Sequence, residues 1–366
     1  MPLQERLERY GFSPVQLESM ESISVEQIED SAGDAVWDSY VNSHPHAAGY
    51  HLVGWRHVIT AAFGHPVYYY LAKDSQGAVR GVLPLVYLNS RMFGRFLVSL
   101  PYLNYGGLLA DTVEAKETLL SHATACARRL KAGHIELRHT EPTDMSWALR
   151  DDKVSMRLDL PQRFDDLMRS FPPKLRSQVR RGEKEGMHVR TGGVELLDDF
   201  YEMFSRTMRD LGTPVYGKEF FNEILSRFQK DTRLCCVYRE DQVLAAGFLY
   251  GFRQIMEICW SASDRRYARM APNMLLYGSV LRYACEQGYR VFDFGRSSKG
   301  SGTYRFKEQW GAKPLPLYWY YWLSKDTQLP KLNPQNPKYR LAIRMWRHLP
   351  MPVTKLIGPM IVKYLP

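Results

Sequence analysis

The alternation of apolar and polar residues changes period several times along the chain. From Tyr50 to Phe63 the spacing predicts a helix. PVYYYLAK and AVRGVLPLVYL then read as β-rich runs, and Asp74, Ser75, Gln76 and Gly77 between them signal a hairpin. A third strand is expected from Phe96 to Leu100, a long helix from Val113 to Lys131 and a short strand in HIELRH. The second half repeats this order, with a helix from Glu195 to Leu211, strands in RLCCVYRE, QVLAAGFLYGF and IMEICWSAS, a helix from Pro272 to Gln287 and a strand in YRVFDF. Such self-similarity predicts a duplicated α/β unit. With the boundary placed near Asp151, the units run 1–150 and 151–323, and VSMRLDL and two short helical segments open the second.

A change of composition sets off a tail, 324–366. Pro330, Pro334, Pro337, Pro350, Pro352, Pro359 and Pro366 interrupt it, and no Asp or Glu follows Asp326. Lys331, Lys338, Arg340, Arg344, Arg347, Lys355 and Lys363 alternate with Leu341, Ile343, Met345, Trp346, Leu349, Leu356, Ile357, Ile361 and Val362. That mixture suits a segment lying on a membrane surface. It equally suits a basic tail folded over its own domain.

With 366 residues, 45% of them hydrophobic, the chain is long enough for two ordinary cores. A net charge of +10 favours an anionic partner. Cys126, Cys235, Cys236, Cys259 and Cys285 lack metal or framework spacing and read as reduced thiols of a cytoplasmic protein. Met1 to Gln16 lacks the apolar stretch of a secretory signal. No run approaches the ~18 apolar residues of a membrane span, so any membrane contact is expected to be peripheral, on the inner face, through 331–366. His44, His46, His51 and His57 lack metal-ligand spacing, and no metal is expected. Hydrolase-elbow, P-loop and dinucleotide glycine patterns are absent.

Candidate chemistry concentrates in YRVFDFGRSSKGSGTYRFKEQWGAKP, from Tyr289 to Pro314. Asp293 falls near the carboxyl end of a strand that is expected to finish at Gly295, where α/β sheets place ligand groups. It would orient or deprotonate an attacking amine, or else cap the loop in a pair with Arg296. Thr303 is expected to cap a short helix ending before Gly311. Phe306 and Trp310 form its buried stripe, and Lys307, turned by about 100°, looks toward the loop with Tyr304 and Glu308. Lys307 there would meet a phosphate or a developing oxyanion, or simply pair with Glu308 in solvent.

Further candidates are spread more widely. In PPKLRSQVRRGEKEG, Arg176, Arg180 and Lys184 recur at helical spacing, a cationic stripe suited to phosphates or to a solvated face, while Leu175 and Val179 turn inward. In LNYGG, Asn104 and Tyr105 precede two glycines in a turn that would line a cleft or reverse the chain. Ser297, Arg305, Trp260, Asn273 and Arg269 complete the candidate substrate contacts.

FDFG followed by GTYRFKEQWG, the helix APNMLLYGSVLRYACEQGY and the segment PPKLRSQVRRGEKEGMHVR resemble the FemAB family and the wider GNAT-like acyltransferases. The resemblance runs from about Ala48 to Leu323. LPYLNYGG is most similar to the branch associated with exosortase/PEP-CTERM systems of exopolysaccharide-producing bacteria. What this implies is an α/β fold of tandem duplicated GNAT-like domains, with mixed central sheets flanked by helices. It also implies transfer of an aminoacyl group from charged tRNA to an amine of a cell-wall precursor, with Lys307 stabilising charge at the reacting ester. The helical arm inserted in some tRNA-dependent members is missing, and the branch points to polysaccharide export, so a cell-envelope or exopolysaccharide amine is the expected acceptor. The acyl donor, aminoacyl-tRNA or acyl-CoA, would be a co-substrate; no bound cofactor is expected.

Two rivals stand beside this. A CoA-dependent N-acetyltransferase would carry R/Q-x-x-G-x-G/A before the helix at Pro272, its backbone N–H groups cradling pyrophosphate. Here the loop is Arg266, Tyr267, Ala268, Arg269, Met270, Ala271, with Arg269 in the place of the central glycine. The other rival is a catalytically silent, membrane-associated adaptor.

Overall fold

A computed structural model of the chain describes residues 22–91, 93–325, 327–329 and 337–365, with side chains left out at 337–340. The expectations for Met1–Gln16, Asp326, Pro330, Lys331, Pro334 and Pro366, and for the side chains of Pro337, Lys338 and Arg340, lie outside it.

The first half runs β1 (Ser24–Gln27), α1 (Ser31–Ser43), α2 (Gly54–Phe63), β2 (Val67–Lys73), β3 (Val79–Ser90), β4 (Gly94–Val98), β5 (Leu109–Ala110), α3 (Val113–Arg129), β6 (His134–His139) and β7 (Ala148–Arg150). Next come β8 (Lys153–Asp159), α4 (Phe164–Ser170), α5 (Pro173–Lys184), β9 (Met187–Gly192), α6 (Leu197–Leu211), α7 (Lys218–Arg227), β10 (Thr232–Arg239), β11 (Gln242–Phe252) and β12 (Ile255–Ser263). The chain closes with α8 (Pro272–Glu286), β13 (Val291–Ser298), α9 (Gly302–Glu308), β14 (Lys313–Pro316), β15 (Tyr318–Leu323), α10 (Pro337–Arg347) and α11 (Met351–Val362).

The strands form two mixed sheets, ordered β1-β2-β3-β4-β6-β15-β7, with β5 on β3, and β14-β8-β13-β12-β11-β10-β9. Each holds one parallel pair, β4 with β6 and β12 with β13. Parallel neighbours need a crossover, which α3 supplies in one half and α8 in the other. The repeated block order read from the sequence is thus the repeated sheet. One strand breaks the correspondence between sheet and chain half: β15 enters the first sheet between β6 and β7, although β14, just before it, lies in the second.

Local chemistry explains the main elements. Asp74 closes the β2–β3 hairpin, its Oδ1 accepting from the Gln76 and Ala78 amides. Thr112 caps α3 by accepting from Ala115 N, and Leu119, Ala123 and Ala127 bury its inner face. Pro173 opens α5; Leu175 and Val179 turn inward as expected, and Gly182 fits so closely on α8 that a Cβ there would come 2.7 Å from Leu275 Cβ. Some boundaries differ. The helix expected from Tyr50 begins at Gly54, because Leu52 is extended after a single 3₁₀ turn at Gly49–His51. The strand expected over Phe96–Leu100 spans Gly94–Val98.

A single apolar cluster ties the halves together. Tyr50, Trp55, Leu100 and Tyr105 of the first half pack with Phe200, Phe221, Phe248 and Tyr250 of the second, and Leu317 is buried among them. Burial of aromatics on this scale is the largest favourable contribution available to such an interface. The tail folds back as well. α10 and α11 lie against α6, with Trp346, Thr354, Gly358 and Val362 buried and Lys355 paired to Glu202.

Candidate active site

Glu257 is the one charged residue of strand β12 and faces Asp293 directly across the parallel ladder. Both carboxyl groups are buried. Tyr50 OH donates to Glu257 Oε2 at 2.9 Å, Tyr105 OH to the same oxygen at 3.0 Å, and Asn104 Nδ2 to Oε1 at 2.7 Å. Burial, followed by the negative charge of Asp293, pushes the Glu257 carboxyl up to about 7 in spite of these donors. A cavity of about 430 Å³, lined by Glu257, Tyr50, Tyr105, Arg157 and Phe252, opens onto it. A second cavity of about 470 Å³ adjoins, sharing His46, Tyr105, Thr140 and Glu141.

Asp293 is wholly buried and fully engaged. Ser155 Oγ donates to Oδ1 at 2.5 Å and Gly295 N at 2.8 Å, while Arg157 Nε donates to Oδ2 at 3.0 Å. Tyr105 OH lies 3.5 Å from that second oxygen and so bridges the two carboxylates. The loop pairing considered for Asp293 and Arg296 is replaced by the Arg157 ion pair. Arg296 instead stacks over Trp319, 4.9 Å from its centroid. Solvent reaches Arg296, yet protein surrounds most of it, and burial and the neighbouring Arg138 bring its guanidinium down to about 10.

The strand expected to end at Gly295 continues to Ser298. What the glycine provides is a bulge: the pairing with β8 shifts between Asp293 and Arg296, and Gly295 takes φ +74°. A Cβ at Gly295 would come 3.7 Å from Glu257 Oε1 and 3.6 Å from Asn104 Nδ2, so the bulge rests against the carboxylate. Lys307 also holds the bulge. Its Nζ donates to Gly295 O at 2.8 Å and Arg296 O at 2.9 Å. Lys307 is therefore buried on the loop side, and Glu308, the solvent partner considered for it, is exposed. Burial lowers the ammonium to about 8, against the opposing pull of Asp293 and Glu257. Ser301, and not Thr303, caps α9, accepting from Tyr304 N; Trp310 is buried as expected, with Phe306 half-buried against it.

Asn104, Tyr105, Asp293 and Lys307 thus converge, with Arg296 at the bulge. Ser297 is buried beside it, its Oγ without a hydrogen-bond partner among the described residues. Tyr304 is half-buried on α9 and Arg305 exposed. Other candidates lie elsewhere. Trp260 belongs to the aromatic core, edge-on to Phe220, Phe221 and Phe248. Asn273 is in the first turn of α8 and Arg269 on the exposed turn before it. Arg176 donates to the carbonyls of Arg169 and Phe171, and Arg180 and Lys184 are exposed on α5.

Sequence reasoning missed Glu257, Tyr50, Arg157 and Ser155. A lone carboxylate inside IMEICWSAS was the available signal, since charge in a strand buried on both faces needs partners.

Two mixed sheets, each with a helix-linked parallel pair and fused through β15, define a tandem GNAT-like α/β fold. Residues 169–308 match the family described as acetyltransferase (GNAT) domain. Among solved structures the chain is similar to FemX, at 18% identity and a TM-score of 0.60 over 87% of this chain and all of that one. It is also similar to a tandem GNAT protein from the clavulanic acid biosynthesis pathway, at 13% identity and a TM-score of 0.55 over 84% of this chain and all of that one. The C-terminal domain of an Agrobacterium fabrum protein assigned as a lysylphosphatidylglycerol synthetase matches at 13% identity with a TM-score of 0.54, over 81% of this chain and 94% of that domain. No curated protein matches the sequence.

Proposed function

We propose that the protein is an acyltransferase that moves an activated acyl group onto an amine, with Glu257 as the base and Lys307 stabilising the developing oxyanion. The observation that carries this reading is the bulge at Gly295, which has a carboxyl held near neutrality and a buried ammonium both against one residue. The base of an attacking amine must lose its own proton near working pH. Glu257 faces the cavity with that property, and Asp293, wholly buried, acts through Tyr105 and Arg157 as a positioning residue. Lys307 uses two of its three donors on main-chain carbonyls, which leaves one for a substrate oxygen.

An aminoacyl ester is the donor this reading favours, as the FemAB resemblance implies, with a cell-envelope or exopolysaccharide amine as acceptor. The loop before α8 argues against CoA. Arg269 stands where the central glycine would be, and Asp264 engages both the Arg266 amide at 3.0 Å and the Arg266 guanidinium, which takes that residue away from an incoming pyrophosphate. Arg180 and Lys184, exposed on α5, are then available for an anionic carrier, whereas Arg176 is engaged with main-chain carbonyls.

Incubation of the purified chain with an amine acceptor and either radiolabelled aminoacyl-tRNA or radiolabelled acetyl-CoA tests the choice. Label transfer from the tRNA ester alone is the expected result. Transfer from acetyl-CoA would make the protein an N-acetyltransferase, and transfer from neither, across a panel of amino sugars and peptides, would favour the silent adaptor.

A further inference from the structure

Surface helices ordinarily turn their apolar stripe inward; α10 and α11 keep a second one outside. On α11, Thr354, Gly358 and Val362 face the protein, yet Leu356 is 73% and Met360 64% exposed. Val353 and Ile357 fall on the same outer face by helical spacing. On α10, Trp346 is buried, while Leu341 is 60% and Met345 62% exposed, with exposed Arg344 between them on that face. Half of the large hydrophobic residues that stand exposed among the described residues lie in these two helices, so the patch is a local concentration.

Charge selects the occupant. Residues 337–365 hold no Asp or Glu, whereas Arg344 and Lys363 flank the patch. A second copy docked face to face would set these cations against each other, with no carboxylate in either segment to pair them. A bilayer with anionic headgroups satisfies both halves of the pattern, because leucine and methionine enter the acyl boundary and the long basic side chains reach up to phosphate. Among the described residues no helix is long and apolar enough to cross a membrane, so the contact would be peripheral.

We propose that the outer faces of α10 and α11 dock the protein on an anionic lipid surface. The position has a use. Lys363 O accepts from Tyr102 OH at 2.5 Å and lies 2.7 Å from His65 Nε2, and Tyr102 is two residues from Asn104, which binds Glu257. The docked tail is thereby tied to the loop that carries Asn104. The proposal does not depend on the transfer chemistry.

Sedimentation of the full chain with vesicles tests it. Binding is expected to phosphatidylcholine vesicles containing about a third phosphatidylglycerol, to be absent with phosphatidylcholine alone, and to weaken as salt rises. The double variant Leu356→Glu/Met360→Glu should lower partitioning at least about tenfold, and Arg344→Glu by several-fold, both with unchanged thermal melts. Lys307→Ala should bind as the parent does, which separates this outcome from the fate of the transfer reading. A parent that stays in solution with anionic vesicles, or a double variant that binds equally well, overturns the proposal. So does a parent dimer that the double variant splits, since the face would then join two copies.

Discussion

Val98 and Glu136 stand opposite each other on the parallel strands of the first sheet; Glu257 and Asp293 hold the same places in the second. In the first pair the single carboxylate has its own cation two residues along the strand. Arg138 Nε donates to Glu136 at 2.6 Å, and the rest of the guanidinium is spent on the carbonyls of Leu100 and Leu103 and the face of Trp319. In the second pair two carboxylates lie side by side, Arg157 bonds Asp293 alone, and burial followed by the charge of Asp293 raises the proton affinity of Glu257. The same ladder position therefore holds a balanced structural pair in one half and a proton-exchanging group in the other. A duplicated fold gains a reactive centre where its charge is left uneven.

The largest effect should come from spoiling the balanced half. Arg138→Ala strands Glu136 in the core and should cost about 3–5 kcal/mol of stability, measured by chemical denaturation. Lys307→Ala should slow turnover roughly a hundredfold, about 3 kcal/mol, and lower the melt as well, because it strands the carbonyls of Gly295 and Arg296; full activity in that variant would end its assigned role. A pH profile sharpens the contrast further. Glu257 must be ionised to accept a proton, so kcat/KM should rise through about 7, and Lys307 must be charged, so it should fall beyond about 8. Glu257→Gln should abolish the acid limb along with most of the activity. Because the folded state raises the Glu257 pKa, it is the protonated form that suits the fold; stability from this group is lost as pH climbs through about 7, and Glu257→Gln should melt higher than the parent at pH 8 and little differently at acid pH. The smallest change is expected from Tyr105→Phe. It removes one donor to the carboxylate, worth about 1 kcal/mol, and should move the acid limb upward by somewhat less than one pH unit.

Much of this frame is legible in one dimension. Periodicity and turn chemistry locate the repeated strands and helices, and the 100° step from Phe306 already turns Lys307 to the loop side. Its burial is not legible, because it depends on a bulge at Gly295 that folds two carbonyls toward α9. Asp293 attracts notice at a strand end, whereas Glu257, deep in an apolar run, gains meaning only from a partner 36 positions away that sheet register brings alongside. Ser301 preceded Thr303 as the cap because two plausible hydroxyls in SGT differ only in backbone angle. The return of β15 to the first sheet is a long-range pairing that no local pattern announces.

That return has a mechanical result. Only Leu317, fully buried, separates the last residue of β14 in one sheet from the first of β15 in the other, and its amide is held by Lys153 O at 3.0 Å. A one-residue corner gripped on every side offers no hinge. Cutting the gene after the first repeat would also leave β6 open on the side away from β4 and β7 without a place, so neither half is an independent building block, and the gap between them should behave as a fixed jaw.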